Sequence, residues 1–416
     1  MGPIATEAAA RAQRIYNTLF PYYVEVCAVT QLHKRGATPG GWGGHATMFM
    51  NGVAIDPDAG YPRLRLVDAG AGPADPDSGT GISVNRVLSN VNWLAIAGRD
   101  MFFHGGLSPD ALLDQRSYDA TIEHAADAGW FKGIRVEQRL ANERPKTMSE
   151  DEFIARHSIG TDFAMSFGRT AYCARLPVPR DAMARIVANL NDVNDAARRN
   201  GYVWNAYTNN CSHVVHNALA AAGVWDPKGV RGPGFVAIAT EALTALRAVA
   251  LRRMSDFSFP ANTFVRLYEA GNERPIDDPV TAFHDRDVVR TFADGWITTG
   301  PGALIVRSPM HDPARNRLFE PGRDPFLFSL PRVWDKEEKF RLLTRQPSAT
   351  MTDLGANLAH YRARYDTILS GEPDAEDVAP EQRGAFSTFS GRFYDYVARE
   401  RERTAGRIAE YERPLA

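Results

Sequence analysis

The chain has 416 residues, 44% of them hydrophobic and 24% charged, which is enough for more than one average domain and for a large core of ordinary globular composition. A formal net charge of −2 and a pI near 6.6 give no electrostatic footprint for nucleic acid or an anionic membrane as the main partner. No apolar run reaches membrane-spanning length, and the first residues lack the basic-then-apolar order of a secretory leader.

Gly2 with Thr6 fits the loose myristoylation pattern, but Pro3 sits badly in it and a chance match is the better reading. The cysteines are Cys27, Cys173 and Cys211, an odd and sparse set. That argues against a disulfide framework and for a reducing compartment, so a cytoplasmic bacterial protein without a cofactor is expected.

In chain order, residues 5–20 predict an amphipathic helix and Tyr22 to Thr30 a strand rich in β-formers. A Gly-rich loop, 36–44, leads into a strand from His45 to Ile55, turned at Asn51-Gly52, and a further strand near Arg63 to Val67. Residues 68–81 read as loop, Trp93 to Phe103 as strand, 110–130 and 149–157 as helices, and Ala164 to Leu176 as strand. Residues 181–200 form a helix with Met183, Ile186, Val187, Leu190 and Val193 on one face, ended by Gly201. A second helix starts at Cys211 and runs to about Ala222.

After Gly232 helical patterns dominate, with one β-like segment at 296–307. Leu354, Leu358, Tyr361, Tyr365 and Ile368 recur at helical spacing, and the Arg/Glu run after Phe386, Phe389, Phe393 and Val397 reads as a solvated helix face. The Lys-Gly-Val-Arg-Gly-Pro-Gly stretch, 228–234, is the expected boundary between a domain at 1–232 and a mainly helical region at 233–416.

The chemistry gathers at Tyr207-Thr208-Asn209-Asn210-Cys211-Ser212-His213. A Thr-Asn-Asn run supplies a turn and a helix cap, which puts Cys211 in the first turn, where the helix dipole favours a thiolate. Cys211, Val215, Leu219 and Ala222 share one face, so the sulfur points with the apolar stripe. The opposing reading is a plain buried cysteine at a helix start.

His45, opening an apolar strand after Gly43-Gly44, is a candidate base for that thiol. A hairpin at Asn51-Gly52 would return Asp56 beside His45 to orient its other nitrogen, with Asp58 as competitor. Asn210 or Tyr207 are candidate oxyanion donors beside the Cys211 N–H, although Asn210 serves equally well as a cap. The small residue Gly44 would allow a substrate chain close approach to the cleft.

Cys-x-His-x-x-His at Cys211, His213 and His216 invites zinc, but His213 lies almost opposite Cys211 on a helix, and no metal is expected. Cys27 and Cys173 read as core residues, and the Gly-rich loop lacks the lysine and helix of a phosphate site. His104-Gly105-Gly106, after a strand, is a weak cleft signal.

Asn210-Cys211-Ser212-His213-Val214, with Tyr207 four positions before the cysteine, resembles the Asn-Cys-x-His-Phe signature of lecithin:retinol-acyltransferase-like proteins. These are circularly permuted relatives of NlpC-type and papain-like thiol enzymes, and PPPDE-type isopeptidases share the Asn-Cys helix start and Gly-His strand start. The resemblance covers two short windows separated by residues 61–179, and Val214 replaces the usual aromatic.

It implies an α+β, permuted papain-like core in which an antiparallel sheet packs on the Cys-bearing helix, with 61–179 as an insertion. It also implies Cys211 as nucleophile, His45 as base and Asp56 as orienter. The function implied is a thiol-dependent hydrolase, a peptidase, isopeptidase or amidase, acting on a peptide or acyl substrate through an acyl-cysteine. The alternatives are a cysteine acyltransferase and a non-catalytic papain-like scaffold that binds a protein partner through residues 233–416.

Overall fold

The computed structural model describes residues 3–29, 45–68, 75–108, 111, 113–168, 171–205, 209–222, 300–308, 311, 349–370, 380 and 383–413. The Gly-rich loop 36–44, Tyr207 and the expected boundary at 228–234 lie outside them. Two compact units are distinguished, Met1–Ala248 with Val306–Arg341, and Val249–Ile305 with Leu342–Ala416.

In the first unit, helix α1 (Pro3–Leu19) precedes strands β1 (Tyr23–Val29), β2 (His45–Asn51), β3 (Val53–Ile55), β4 (Leu64–Leu66), β5 (Thr80–Ser83) and β6 (Leu94–Ala97). Helices α2 (Arg99–His104), α3 (Gln115–Asp127), α4 (Gln138–Ala141) and α5 (Glu150–Ser158) follow, then β7 (Ala171–Pro177), α6 (Arg180–Asn200) and α7 (Cys211–Ala221). Strand β8 (Leu304–Ser308) carries the division between the units. In the second unit lie α8 (Ala349–Thr352), α9 (Leu354–Leu369) and α10 (Arg383–Glu412).

The architecture is α+β around a six-stranded sheet ordered β6-β5-β2-β1-β7-β8. Antiparallel ladders join β1 to β2 and β7, β2 to β5, and β5 to β6. Residues 61–179 thus supply β5 and β7, the direct neighbours of β2 and β1, and β6 beyond β5, and are built into the sheet. No described helix is long and apolar enough to cross a membrane.

Strand β2 is buried along its whole length because both of its faces are covered. On one face Phe49 meets the rings of Phe102 and Phe103 from α2, with centroids 5.9 and 5.8 Å away. Gly81 makes this possible, since a Cβ there would stand 2.1 Å from the Phe102 ring. Helix α7 packs on β2 and on α6.

Asparagines on α6 stitch the sheet edge. Asn194 Oδ1 accepts the N–H groups of Asn92 (2.7 Å) and Trp93 (3.1 Å), and Asn191 exchanges two 2.9 Å bonds with the backbone of Leu64. Both asparagines are buried, so the helix stripe read from its apolar residues is extended by polar ones that complete backbone bonds.

Two expected strands are shorter than their composition suggested. Trp93 to Phe103 holds β6 only to Ala97, because Gly98 takes φ 85° and Asp77 Oδ1 accepts the Asp100 N–H at 2.5 Å, starting α2. Ala164 to Leu176 becomes strand only at Ala171, since the N–H groups of Ala164, Met165 and Ser166 bond to the last carbonyls of α2 (3.2, 3.1 and 2.9 Å). In the second unit, Leu358, Tyr361 and Tyr365 are buried where α9 packs on α10, as their spacing predicts.

Cys27 and Cys173 lie in the core as their composition predicts, but the reading against a disulfide needs correction. They stand directly opposite on β1 and β7, with Cα atoms 4.1 Å apart, and form a disulfide, which leaves Cys211 outside it. A residue pair facing across an antiparallel ladder is close in space whatever its sequence separation, here 146, which counting cysteines cannot reveal. The bond also runs against the reducing compartment inferred from that count.

Two positions along the same face of β1 is Glu25, fully buried. Its Oε1 accepts from Arg99 Nη1 at 2.6 Å and Arg175 Nε at 2.5 Å, and Arg175 lies over the Tyr16 ring, 4.3 Å from its centroid. Burial alone would raise the Glu25 pKa, but the two guanidinium groups outweigh it and hold the carboxyl below its ordinary value. Glu25→Gln leaves the buried Arg175 without its counter-charge, so a loss of about 3–5 kcal/mol is expected in denaturant unfolding.

At the end of α2, His104 Nδ1 lies 3.1 Å from His311 Nε2, and His311 Nδ1 bonds the Ala111 carbonyl at 3.1 Å. Burial, then His311 and Arg99, lower the His104 pKa to about 3. The folded chain therefore keeps this imidazole neutral while the unfolded chain protonates it near pH 6.5, so stability falls from there downwards. Between pH 7 and pH 5 the protein is expected to lose about 2 kcal/mol more than His104→Gln, measured by urea unfolding at both values.

Candidate active site

Cys211 opens α7, and Asn210 before it adopts the extended backbone of a helix cap (φ −126°, ψ −175°). Its side-chain Oδ1 accepts the His213 N–H at 3.2 Å and lies 2.8 Å from His213 Nδ1. The cap reading of Asn210 is thus observed, and the same oxygen holds the His213 ring beside it. Cys211, Val215, Leu219 and Ala222 are all buried, as one inward stripe requires. His213 and His216 are buried as well.

The segment leading to Cys211 is pinned from several directions. Asn205 and Asn209 exchange two 3.0 Å backbone bonds, and Asn209 Oδ1 accepts from Asn92 Nδ2 at 3.2 Å. Tyr202 donates its N–H to the Ser89 carbonyl at 2.8 Å. These contacts tie the approach to the nucleophile candidate to the connection between β5 and β6, so the helix start is held by that segment and not by α7 alone.

His45 is buried at the start of β2, and its Nε2 lies 2.6 Å from Ser83 Oγ on the adjacent strand β5. Ser83 Oγ donates to Asp162 Oδ1 at 2.8 Å and lies 3.2 Å from the Thr161 carbonyl, while Asn85 Nδ2 donates to Asp162 Oδ2 at 2.6 Å. Asp162 is fully buried. Burial, then the nearby charges of Cys211 and Asp162, raise the Tyr202 phenol above the ordinary tyrosine value.

The hairpin expected to return Asp56 to His45 does not form. Gly52 turns the chain with φ 77°, but β3 pairs with β4, because β2 already has β1 on one edge and β5 on the other. Asp56 accepts the Asp58 N–H at 3.1 Å and lines a cleft of 370 Å³ with Tyr61, Trp130 and Lys132, while Asp58 is exposed. Gly44 and Tyr207 fall outside the described residues, so the structure places neither.

Ser83, Asp162, Asn85 and Tyr202 were missed by reading the sequence, since none sits in a recognisable motif. Residues 68–81 read as loop, so the strand at Thr80–Ser83 that brings Ser83 to His45 was not expected. Among the described residues, the cluster with metal-like spacing is Glu25, Cys27 and Cys173, where the two sulfurs are bonded to each other. His213 and His216 do not join Cys211 in any such cluster among those residues. No known protein family matches the sequence, and no curated protein or solved structure matches the chain.

The cap is directly testable. Asn210→Ala is expected to cost about 1 kcal/mol of stability in thermal unfolding, and Asn210→Asp, which keeps the accepting oxygen, to cost much less.

Proposed function

We propose that the protein is a thiol-dependent hydrolase of permuted papain-like type, with Cys211 as nucleophile and His45 as base. The observation that carries this reading is that helix α7, which Cys211 opens, packs against strand β2, which His45 opens, with both side chains buried. Support also comes from the sulfur chemistry: Cys27 and Cys173 are spent on a disulfide, and Cys211, outside it, opens a helix.

In this reading His45 takes the Cys211 proton, and the thiolate attacks a carbonyl carbon of a peptide or isopeptide. The developing oxyanion is met by the Cys211 N–H, one of the N–H groups that a helix start leaves without intrahelical acceptors. The imidazolium protonates the leaving amine, and water then releases the acyl group from sulfur. Asp56, which the resemblance makes the orienter of His45, belongs in this reading to the Tyr61–Trp130 cleft, and the orienting role passes to groups on β5.

A second reading, a papain-like scaffold without turnover, is favoured by one observation: Cys211 is only 5% exposed. Intact-mass trapping with a library of activated peptide esters and amides separates the two. A single acyl adduct on the protein, absent from Cys211→Ala, is expected. Equal labelling of Cys211→Ala, or no adduct with any member, would contradict the hydrolase reading.

A further inference from the structure

Resting on the hydrolase reading, we infer that Ser83 and Asp162 form a positioning relay that fixes the tautomer of His45 and makes Nδ1 the basic nitrogen. The argument is a count of protons. A serine hydroxyl has a single hydrogen to donate. Around Ser83 Oγ stand His45 Nε2 at 2.6 Å, Asp162 Oδ1 at 2.8 Å and the Thr161 carbonyl at 3.2 Å.

A carboxylate and a carbonyl are both acceptors, so the hydroxyl hydrogen goes to one of them and Ser83 Oγ must accept from His45. Nε2 therefore carries the hydrogen, and in the neutral ring Nδ1 keeps its lone pair. The opposite direction would require Asp162 to be a neutral acid that donates to Ser83. Asp162 instead receives one donor on each oxygen, Ser83 on Oδ1 and Asn85 on Oδ2, the pattern that suits an ionised carboxylate.

This arrangement does two things for the proposed reaction. The Cys211 proton moves to His45 Nδ1, breaking S–H and forming N–H, and the pair becomes thiolate and imidazolium. The new positive charge is then faced, through the Ser83 hydroxyl, by the Asp162 carboxylate, which stays ionised throughout. No proton passes to Asp162, so the relay acts by orientation and charge alone. Ser83 also reaches His45 from the adjacent strand, which holds the ring by sheet geometry and not by a loop.

The test uses the full-length protein labelled with 15N-histidine. The His45 ring signals, assigned by comparison with His45→Gln, are expected to report hydrogen on Nε2 and none on Nδ1 at pH 7.5. Ser83→Ala is expected to lose that single-tautomer signature and to slow alkylation of Cys211 by iodoacetamide about 10- to 100-fold at neutral pH. Ser83→Thr, which keeps the hydroxyl, is expected to restore both.

A ring with hydrogen on Nδ1, or a Ser83→Ala protein with unchanged ring signals and alkylation rate, would overturn the relay. Because Asp162 is fully buried, Asp162→Asn would mix a loss of stability with a loss of function, and the test therefore rests on the two Ser83 variants. Failure of the broader reading looks different: His45→Gln would then leave the alkylation rate and its pH profile unchanged.

Discussion

Strand β2 is hydrogen-bonded along both edges, to β1 on one side and β5 on the other, and most of what positions the candidate site follows from that constraint. A strand with no open edge cannot receive the chain that turns back at Gly52, so β3 finds β4 and Asp56 is carried away from the ladder. The same constraint brings Ser83 to His45. The group that meets the imidazole is decided by which strand neighbours β2, and that strand lies 38 positions further along the chain.

The central strand β1 carries the complementary burden. Glu25, Cys27 and their partners on β7 place a buried ion cluster and a disulfide on one face of the sheet. Buried ion pairs add little net stability over apolar packing, but removing one partner is costly, so such a cluster resists rearrangement of the ladders around it. The candidate site is the reverse case. His45, Ser83, Asp162 and Asn85 bury polar groups that bond mainly to one another. Polar groups kept dry in this way hold fixed directions, which is what proton transfer requires.

Much of this was legible in the chain, in particular ways. The strand at Tyr23–Val29, the helix over 180–200 and the helix beginning at Cys211 follow from local composition, periodicity and capping. So does the cap at Asn210, because a cap bond spans only three residues. The Cys27–Cys173 bond and the Ser83–Asp162 contact were not legible, because both depend on which distant segments share a ladder or a loop. Asp56 shows the same limit from the other side: its distance from His45 along the chain suited a hairpin, and only the occupancy of the β2 edges excludes it.

The central claim is that Cys211 and His45 act as one thiol–imidazole unit. The most direct measurement is the separation between the Cys211 sulfur and the His45 ring in an experimentally determined structure of the intact protein. The account predicts that Sγ lies within about 4 Å of Nδ1, the looseness usual in a site without substrate. A sulfur held across β2 from the imidazole, facing the opposite side of the sheet, would contradict it.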